Sequence, residues 1–271
     1  MGHYLTLHQV LETLSIAVSA LLFAVGWKAH SLNPQRNVLI LACGFLGVAI
    51  LDFSHMLSFA GMPDYITPNS VAKGINFWLP ARNLGALTLL GAVAVHWRVP
   101  GDAAAPGPGR FLVLALVLAV VAVIHAVVFL FPQWYPQTYD DQGLTRFKIA
   151  SEYGVVALYA ASLGVLLHWA RERAAFDVAR LFAAVWVMAL SEFFFTFYVV
   201  ATDPFNLLGH MCKVVGCYYL YRAIFVGTIK APYRVLKQSD KAMRAVLDAR
   251  ARPDVRGNSR RSLCADPYAP A

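Results

Sequence analysis

Charged residues are scarce in this sequence. Asp, Glu, Lys and Arg make up 14% of its 271 residues, whereas a soluble domain carries roughly a quarter. The hydrophobic residues, 59% of the total, are concentrated in blocks of about 20, the length that crosses about 30 Å of hydrocarbon. Alternating segments of about half that length, the pattern of a membrane barrel, are missing. The composition therefore excludes a soluble globular protein and predicts an all-α integral membrane protein.

Cysteine motifs and common catalytic signatures are also missing. The four cysteines (Cys43, Cys212, Cys217 and Cys264) form no CxxC pair, so thiol redox chemistry and a cysteine zinc site are not indicated. Three of them lie in apolar blocks, where cysteine usually serves as a small buried side chain. The absence of HExxH removes the usual helical motif of zinc hydrolases.

Seven apolar blocks predict a seven-transmembrane helix bundle. They cover about residues 8–27, 38–59, 74–96, 111–131, 149–169, 180–201 and 206–228. Pro80 is expected to break or kink the start of the third helix.

The loops between these blocks alternate in basic content. Lys and Arg are enriched in the first, third and fifth loops and after the last block. The positive-inside rule then places the N-terminus of this multi-pass protein outside and the C-terminus in the cytoplasm. The net charge of +8 lies mainly outside the apolar blocks, which indicates anionic lipid rather than nucleic acid as its partner.

Ionisable and amide side chains inside the blocks are the candidate site, because such groups are expensive at membrane depth. Placed on the predicted topology, they fall in the middle or outer part of the bundle, which favours one outward-facing cavity. The ligand-binding candidates are Asp52, Arg82, Asn83, Glu152, Glu192, Asn206 and Lys213. The metal-ligand candidates are His8, Glu12, His55 and His210.

Helical spacing supports the metal hypothesis without proving it. His8 and Glu12 are one turn apart, His55 follows Asp52 by three residues, and His210 lies on the seventh block. Imidazole and carboxylate groups suit zinc, copper or iron. Two other ligands stay open, namely haem held between two histidines and an organic molecule held by Arg82 and Lys213.

A purely structural interpretation also stays open. Asp52, Glu152 and Glu192 are able to pair with Arg82, Lys148 and Lys213, since buried charges need partners. For His125 the structural interpretation is favoured over a ligand role.

Several separated motifs resemble the third class of bacterial membrane-associated sensor domains. They are HQVLE (8–12), LDFSHMLSFAGMP (51–63), NFWLPARNLGAL (76–87), GLTRFKIASEY (143–153), SEFFFTFYVV (191–200) and NLLGHMCKVVGCYYLYRAIFVGTIKAPYRVL (206–236). The resemblance implies a seven-helix sensory input module, which in other members is usually followed by a PAS, histidine kinase or diguanylate cyclase domain. Nine ionisable candidates match the family pattern residue by residue, whereas His125 belongs to no matching stretch. The nine are His8, Glu12, Asp52, His55, Arg82, Glu152, Glu192, His210 and Lys213.

These observations predict a sensor domain over residues 1–236 and a short basic cytoplasmic tail over residues 237–271. The tail is expected to be partly helical, then disordered, with no output domain. Three alternatives stay open, namely a standalone module, a module that acts through a cytoplasmic kinase or cyclase partner, and a piece of a longer signalling protein. A homodimer is a further open alternative. The signal is a small periplasmic or membrane-borne ligand, with a metal ion as one candidate, and its binding should shift the seventh helix. The alternatives are a haem- or metal-dependent intramembrane enzyme or redox protein, and then a transporter.

Overall fold

The computed structural model of the chain describes residues 2–95, 109–141, 143–171, 178–197, 203–225 and 231–251. Helices dominate these residues. They are α1 (Gly2–Leu32), α2 (Arg36–Ser58), α3 (Val71–Ala94), α4 (Arg110–Leu130), α5 (Arg146–Arg171), α6 (Val178–Phe195), α7 (Pro204–Phe225) and α8 (Ala231–Ala251). The small-residue segment at 101–108 and residues 252–271, where the tail is expected to be disordered, lie outside the described residues.

Five of the described helices are long and apolar enough to cross a membrane, namely α1, α2, α4, α5 and α6. The seven apolar blocks fall on α1 to α7, and α1 extends beyond its block at both ends. Helices α3 and α7 do not reach the same apolar standard. They carry Lys73, Arg82, Lys213 and Arg222 inside their lengths, and these side chains lower the mean hydropathy of both helices.

The expected break at Pro80 is absent. Helix α3 runs from Val71 to Ala94 with Pro80 inside it. Proline removes one hydrogen bond from a helix interior and its ring crowds the carbonyl four residues earlier, but α3 is held on its flanks by α2, α4 and α5. This packing keeps the helix continuous, so the prediction of a break was wrong, whereas a kink at Pro80 stays a prediction.

Six helices pack in a closed ring. Along this ring α1 contacts α2, α2 contacts α3, α3 contacts α5, α5 contacts α6, α6 contacts α7, and α7 returns to α1. An apolar core that draws on all six helices includes Leu22, Phe45, Leu89, Leu166 and Leu220. Helix α4 packs outside this ring against α2 and α3. The apolar side chains of α4 that do not face these two helices are mostly exposed, as expected of a lipid-facing helix.

Glycines allow close contacts between neighbouring helices. A β-carbon added at Gly44 of α2 would overlap the side chain of Thr88 on α3. On α7, a β-carbon at Gly209 would lie 2.6 Å from the Phe195 ring, and one at Gly216 would lie 2.7 Å from Met188 Cγ. Small residues of this kind allow membrane helices to approach closely.

A short hairpin precedes α5. Strand β1 (Tyr139–Asp140) pairs antiparallel with β2 (Gly143–Leu144). Gly143 has a φ of +108°, a conformation that glycine adopts without the strain a β-carbon would cause. Asp140 ends β1, and Asp141 lies in the turn that follows it.

The chain divides between residues 229 and 230 into two compact units. Helix α8 lies in the second unit, and its apolar side chains Tyr233, Leu236, Met243 and Leu247 are exposed. Asp240 and Arg244 form an exposed ion pair with 3.1 Å between Oδ2 and Nε.

Candidate functional site

Four side chains from three helices meet at one end of the ring. His8 and Glu12 come from the start of α1, His55 from the last turn of α2, and His210 from the second turn of α7. Each offers one potential ligand atom, and these atoms all lie within 4.8 Å of one another. All four side chains are buried. They are the four residues that the sequence marked as metal-ligand candidates.

A hydrogen bond to the backbone of α3 fixes the orientation of the His55 ring. Its Nδ1 lies 2.8 Å from the carbonyl oxygen of Gly74 in the first turn of α3. Because a carbonyl only accepts, Nδ1 carries the hydrogen and Nε2 is left with a free lone pair. Nε2 has no hydrogen-bond partner among the described residues.

His8 is the most unusual member of the cluster. Its side chain is fully buried, and within the described part of the chain neither ring nitrogen has a hydrogen-bond partner. The ring packs edge-on against His210 at 4.6 Å between centroids and lies 4.2 Å from the ring of Phe59. Buried polar atoms nearly always have a partner, so His8 requires an explanation.

Glu12 links the histidines to the buried charges. Its Oε1 lies 2.7 Å from His210 Nδ1. Lys213 Nζ donates to both oxygens of the same carboxylate, at 2.9 and 2.8 Å. Because one turn of α7 separates His210 from Lys213, both side chains reach Glu12 together.

The ion pairs continue across two further helices. Lys213 Nζ lies 3.0 Å from Asp52 Oδ2, and Arg82 donates to both oxygens of Asp52 at 2.6 and 2.7 Å. The sequence suggested Glu192 as a partner for Lys213, but Lys213 contacts Glu12 and Asp52 instead. Glu192 interacts electrostatically with Arg82, Lys213 and Lys148.

The other candidates lie in different surroundings. Glu152 pairs with Lys148 at 2.5 Å, as proposed from the sequence, and Lys148 also donates to the carbonyl of Phe195 at 3.1 Å. Asn83 donates to the carbonyl oxygen of Leu79 and to the hydroxyl of Ser151, away from the histidines. Asn206 borders the histidine cavity and donates to the hydroxyl of Tyr4 at 2.7 Å.

His125 lies outside the cluster. Its Nε2 is 2.7 Å from the hydroxyl of Ser54, and its Nδ1 is 2.8 Å from the carbonyl of Val121. Both ring nitrogens are therefore occupied, which is the structural role favoured from the sequence.

A cavity of about 30 Å³ adjoins the three histidines, and its wall includes Phe59, Trp78 and Phe195. A water molecule needs about 10–15 Å³ measured in this way, so the space admits an ion or one or two waters. Sites for drug-sized ligands measure about 300–1,000 Å³. The size of the cavity favours an ion over haem or another organic ligand.

A larger cavity of about 440 Å³ lies nearby between α3 and the segment after α4. The one ammonium group in its wall belongs to Lys73, which donates to the oxygens of Tyr65, Thr67 and Asn69 at 2.6, 2.7 and 3.0 Å. An ammonium has three hydrogens to donate, and all three are engaged. Tyr135 also borders this cavity, and burial raises the pKa of its hydroxyl to about 12. These groups hold a loop in place, and the described residues of the cavity wall leave no charged group free for a ligand.

The sequence analysis did not predict the aromatic side chains in the cavity wall or the hydrogen bond between His55 and the Gly74 carbonyl. Phe195 belongs to the run Phe193–Phe195, whose spacing gave no reason to distinguish its members. Phe195 is buried and lies 4.9 Å from the His210 ring, whereas Phe193 is exposed. Three residues separate Phe59 from His55, a spacing that places both on one side of a helix, and this was the available signal for Phe59.

Comparison with known proteins gave one positive result. The family model of the membrane-associated sensor domain MASE3 matches residues 1–232. No curated protein and no solved structure matches the chain.

Proposed function

Since the chain belongs to the MASE3 family of membrane-associated sensor domains, we propose that it receives a signal at the buried histidine cluster and passes it to a bacterial signalling output. In this proposal α1 to α7 all span the inner membrane, with the N-terminus outside and the C-terminus in the cytoplasm. Residues 1–236 form the sensor, and residues 237–271 form the cytoplasmic tail. The expected partners are a kinase or cyclase and a second copy of the chain.

One observation carries the proposal. The first and last helices of the ring meet at the cluster, because His8 and Glu12 lie on α1 and His210 lies on α7. The chain leaves the ring through α7 and continues into α8. A ligand that binds better to one arrangement of α1 and α7 than to another shifts the population between them. Such a shift at α7 is a direct route to an output.

The alternatives have less support. A cavity of about 30 Å³ argues against a haem protein. An enzyme needs a nucleophile or an activated water beside its base. The carboxylate of the histidine cluster belongs to Glu12, and its contacts with Lys213 and His210 occupy the oxygens that a base would use to accept a proton. A transporter is commonly built from repeats around a midplane site, and the sequence shows no internal repeat.

A reporter fusion tests this function. The full chain is joined to a diguanylate cyclase, and cyclic di-GMP is measured per unit of fusion protein in the membrane. Replacement of His210 by alanine should change the output at least about fivefold, the lower range of coupling between sites. The matched control is Met211→Ala, because Met211 is the next residue on α7 and is half exposed. Equal output from the two variants would contradict a sensory role for the cluster.

A further inference from the structure

We propose that the signal is a divalent transition-metal ion of the zinc class, bound by His8, Glu12, His55 and His210, and that the ammonium of Lys213 competes with this ion for Glu12. The inference rests on the proposed sensory function of the same cluster. It adds the chemical class of the ligand and the group that competes with the ligand.

The donor set fits this class of ion. Three imidazoles and one carboxylate are usual ligands of Zn²⁺, with bond lengths of about 2.0–2.2 Å. Donors at the corners of a tetrahedron of that size are about 3.3 Å apart, so potential ligand atoms now within 4.8 Å need to converge by at most about 1.5 Å. All four are on rigid helices, which suits a preorganised site.

The hydrogen bonding of His55 matches that of a metal ligand. Metal-binding histidines nearly always donate their second ring N–H to a carbonyl or carboxylate. His55 does this through Nδ1 and the Gly74 carbonyl, at 2.8 Å. Its Nε2 carries a lone pair and has no hydrogen-bond partner among the described residues, so this nitrogen is available to bind an ion.

His8 supplies the independent observation. A fully buried imidazole with neither nitrogen satisfied by any described residue costs free energy, because it has lost its hydrogen bonds to water. A coordinate bond to a metal would satisfy one nitrogen. The ring is already beside His210, where such an ion would lie.

The surroundings strengthen the site. The rings of Phe59 and Phe195 pack on His8 and His210, at 4.2 and 4.9 Å between centroids, and Trp78 packs against Phe195. These rings limit access by water. An apolar shell of this kind lowers the local dielectric constant around a metal site.

Lys213 is the competing cation. Its ammonium donates to both oxygens of Glu12, so a metal bound to that carboxylate would share its negative charge with the ammonium and weaken these hydrogen bonds. Repulsion between the two cations would move the ammonium toward Asp52, whose Oδ2 is already 3.0 Å away. Asp52 is in turn bound to Arg82 of α3. Occupancy of the histidine site is therefore linked to the ion pairs among α2, α3 and α7.

The test uses the purified full chain in nanodiscs after treatment with a chelator. It is titrated with Co²⁺, whose visible absorption intensifies in a tetrahedral site, and then with Zn²⁺ as a competitor. We expect one ion per chain. His8→Ala, His55→Ala and His210→Ala should each weaken binding at least about a hundredfold. Loss of a residue that only hydrogen-bonds to a metal ligand already costs about 10–100-fold in affinity, and loss of the ligand itself should cost at least the upper end of that range. His125→Ala is the matched control and should bind like the parent, because that ring lies outside the cluster.

The variant Lys213→Met tests whether the ammonium of Lys213 competes with the metal ion or helps to hold the site together. If the ammonium competes, its removal should tighten Zn²⁺ binding at least about tenfold, a change equivalent to about 1.4 kcal/mol. Weaker or unchanged binding in a folded Lys213→Met protein would overturn the role given to Lys213. Glu12→Gln keeps the shape of the side chain and should weaken binding. Thermal unfolding without metal identifies any variant that has lost its fold.

The outcomes also separate this proposal from the sensory one. Binding below one ion per five chains, or equal losses in His125→Ala and His55→Ala, would overturn the metal site. If His210→Ala still altered the reporter output, the sensory function would stand with another ligand. If metal bound as expected and the reporter did not respond, the metal site would stand and the sensory function would fall.

Discussion

Replacing Asp52 by asparagine is expected to lower the free energy of unfolding by about 3–5 kcal/mol, the usual cost of breaking a buried ion pair by removing one partner. The substitution preserves the size of the side chain and removes the charge that Arg82 and Lys213 share at 2.6–3.0 Å. Two buried cations would then lose their common carboxylate. The measurement is the unfolding equilibrium of the full chain in mixed micelles.

Asp240→Asn is the matched control. Asp240 also pairs with an arginine, but both side chains of that pair are more than half exposed. Exposed pairs contribute about 0–1 kcal/mol, so this variant should unfold almost like the parent. In the double variant Asp52→Asn with Arg82→Met, part of the loss should be recovered, because the uncompensated guanidinium is gone. An equal effect at Asp52 and Asp240 would contradict a structural role for the buried pair.

Gly44→Ala is expected to destabilise the protein by about 1–3 kcal/mol, the typical cost of overpacking a close contact. The added methyl group would overlap the side chain of Thr88, and the neighbouring backbones of α2 and α3 would have to separate. Thr88→Ala in the same chain should restore part of the stability, since it removes the atoms nearest the new methyl. The unfolding equilibrium again gives the measurement.

The same substitution at Gly164 provides the comparison. A β-carbon at Gly164 meets no described atom within 4 Å. In a helix interior alanine is favoured over glycine by about 0.5–1 kcal/mol, so Gly164→Ala should be neutral or slightly stabilising. Similar destabilisation at both glycines would show that the α2–α3 contact is not tight.

Much of the candidate site was accessible from the sequence. Helical spacing placed His8 beside Glu12, and the alternating direction of the predicted helices brought the end of α2 next to the starts of α1 and α7. His8, Glu12, His55 and His210 do meet within 4.8 Å. Depth along a helix follows from residue number and rise per residue, which is why this part of the prediction was possible.

The rotation of each helix about its own axis was harder to predict. Arg82 and Asn83 are adjacent in sequence and lie at almost the same depth, but successive residues of a helix are turned by about 100°. Arg82 therefore reaches Asp52, whereas Asn83 reaches Ser151 on α5. Which neighbour each side chain meets depends on the order of helices in the ring, and a single sequence carries little information on that order.

The close contacts between α6 and α7 have a consequence for how a signal could move the protein. Gly209 fits against Phe195 and Gly216 fits against Met188, and Ser191 of α6 also donates to the Gly209 carbonyl at 2.7 Å. The two glycine contacts are seven residues apart, about 10 Å along the helix axis. Two tight contacts at that separation resist pivoting of α7 against α6. A force applied at His210 should therefore displace the two helices as one rigid pair.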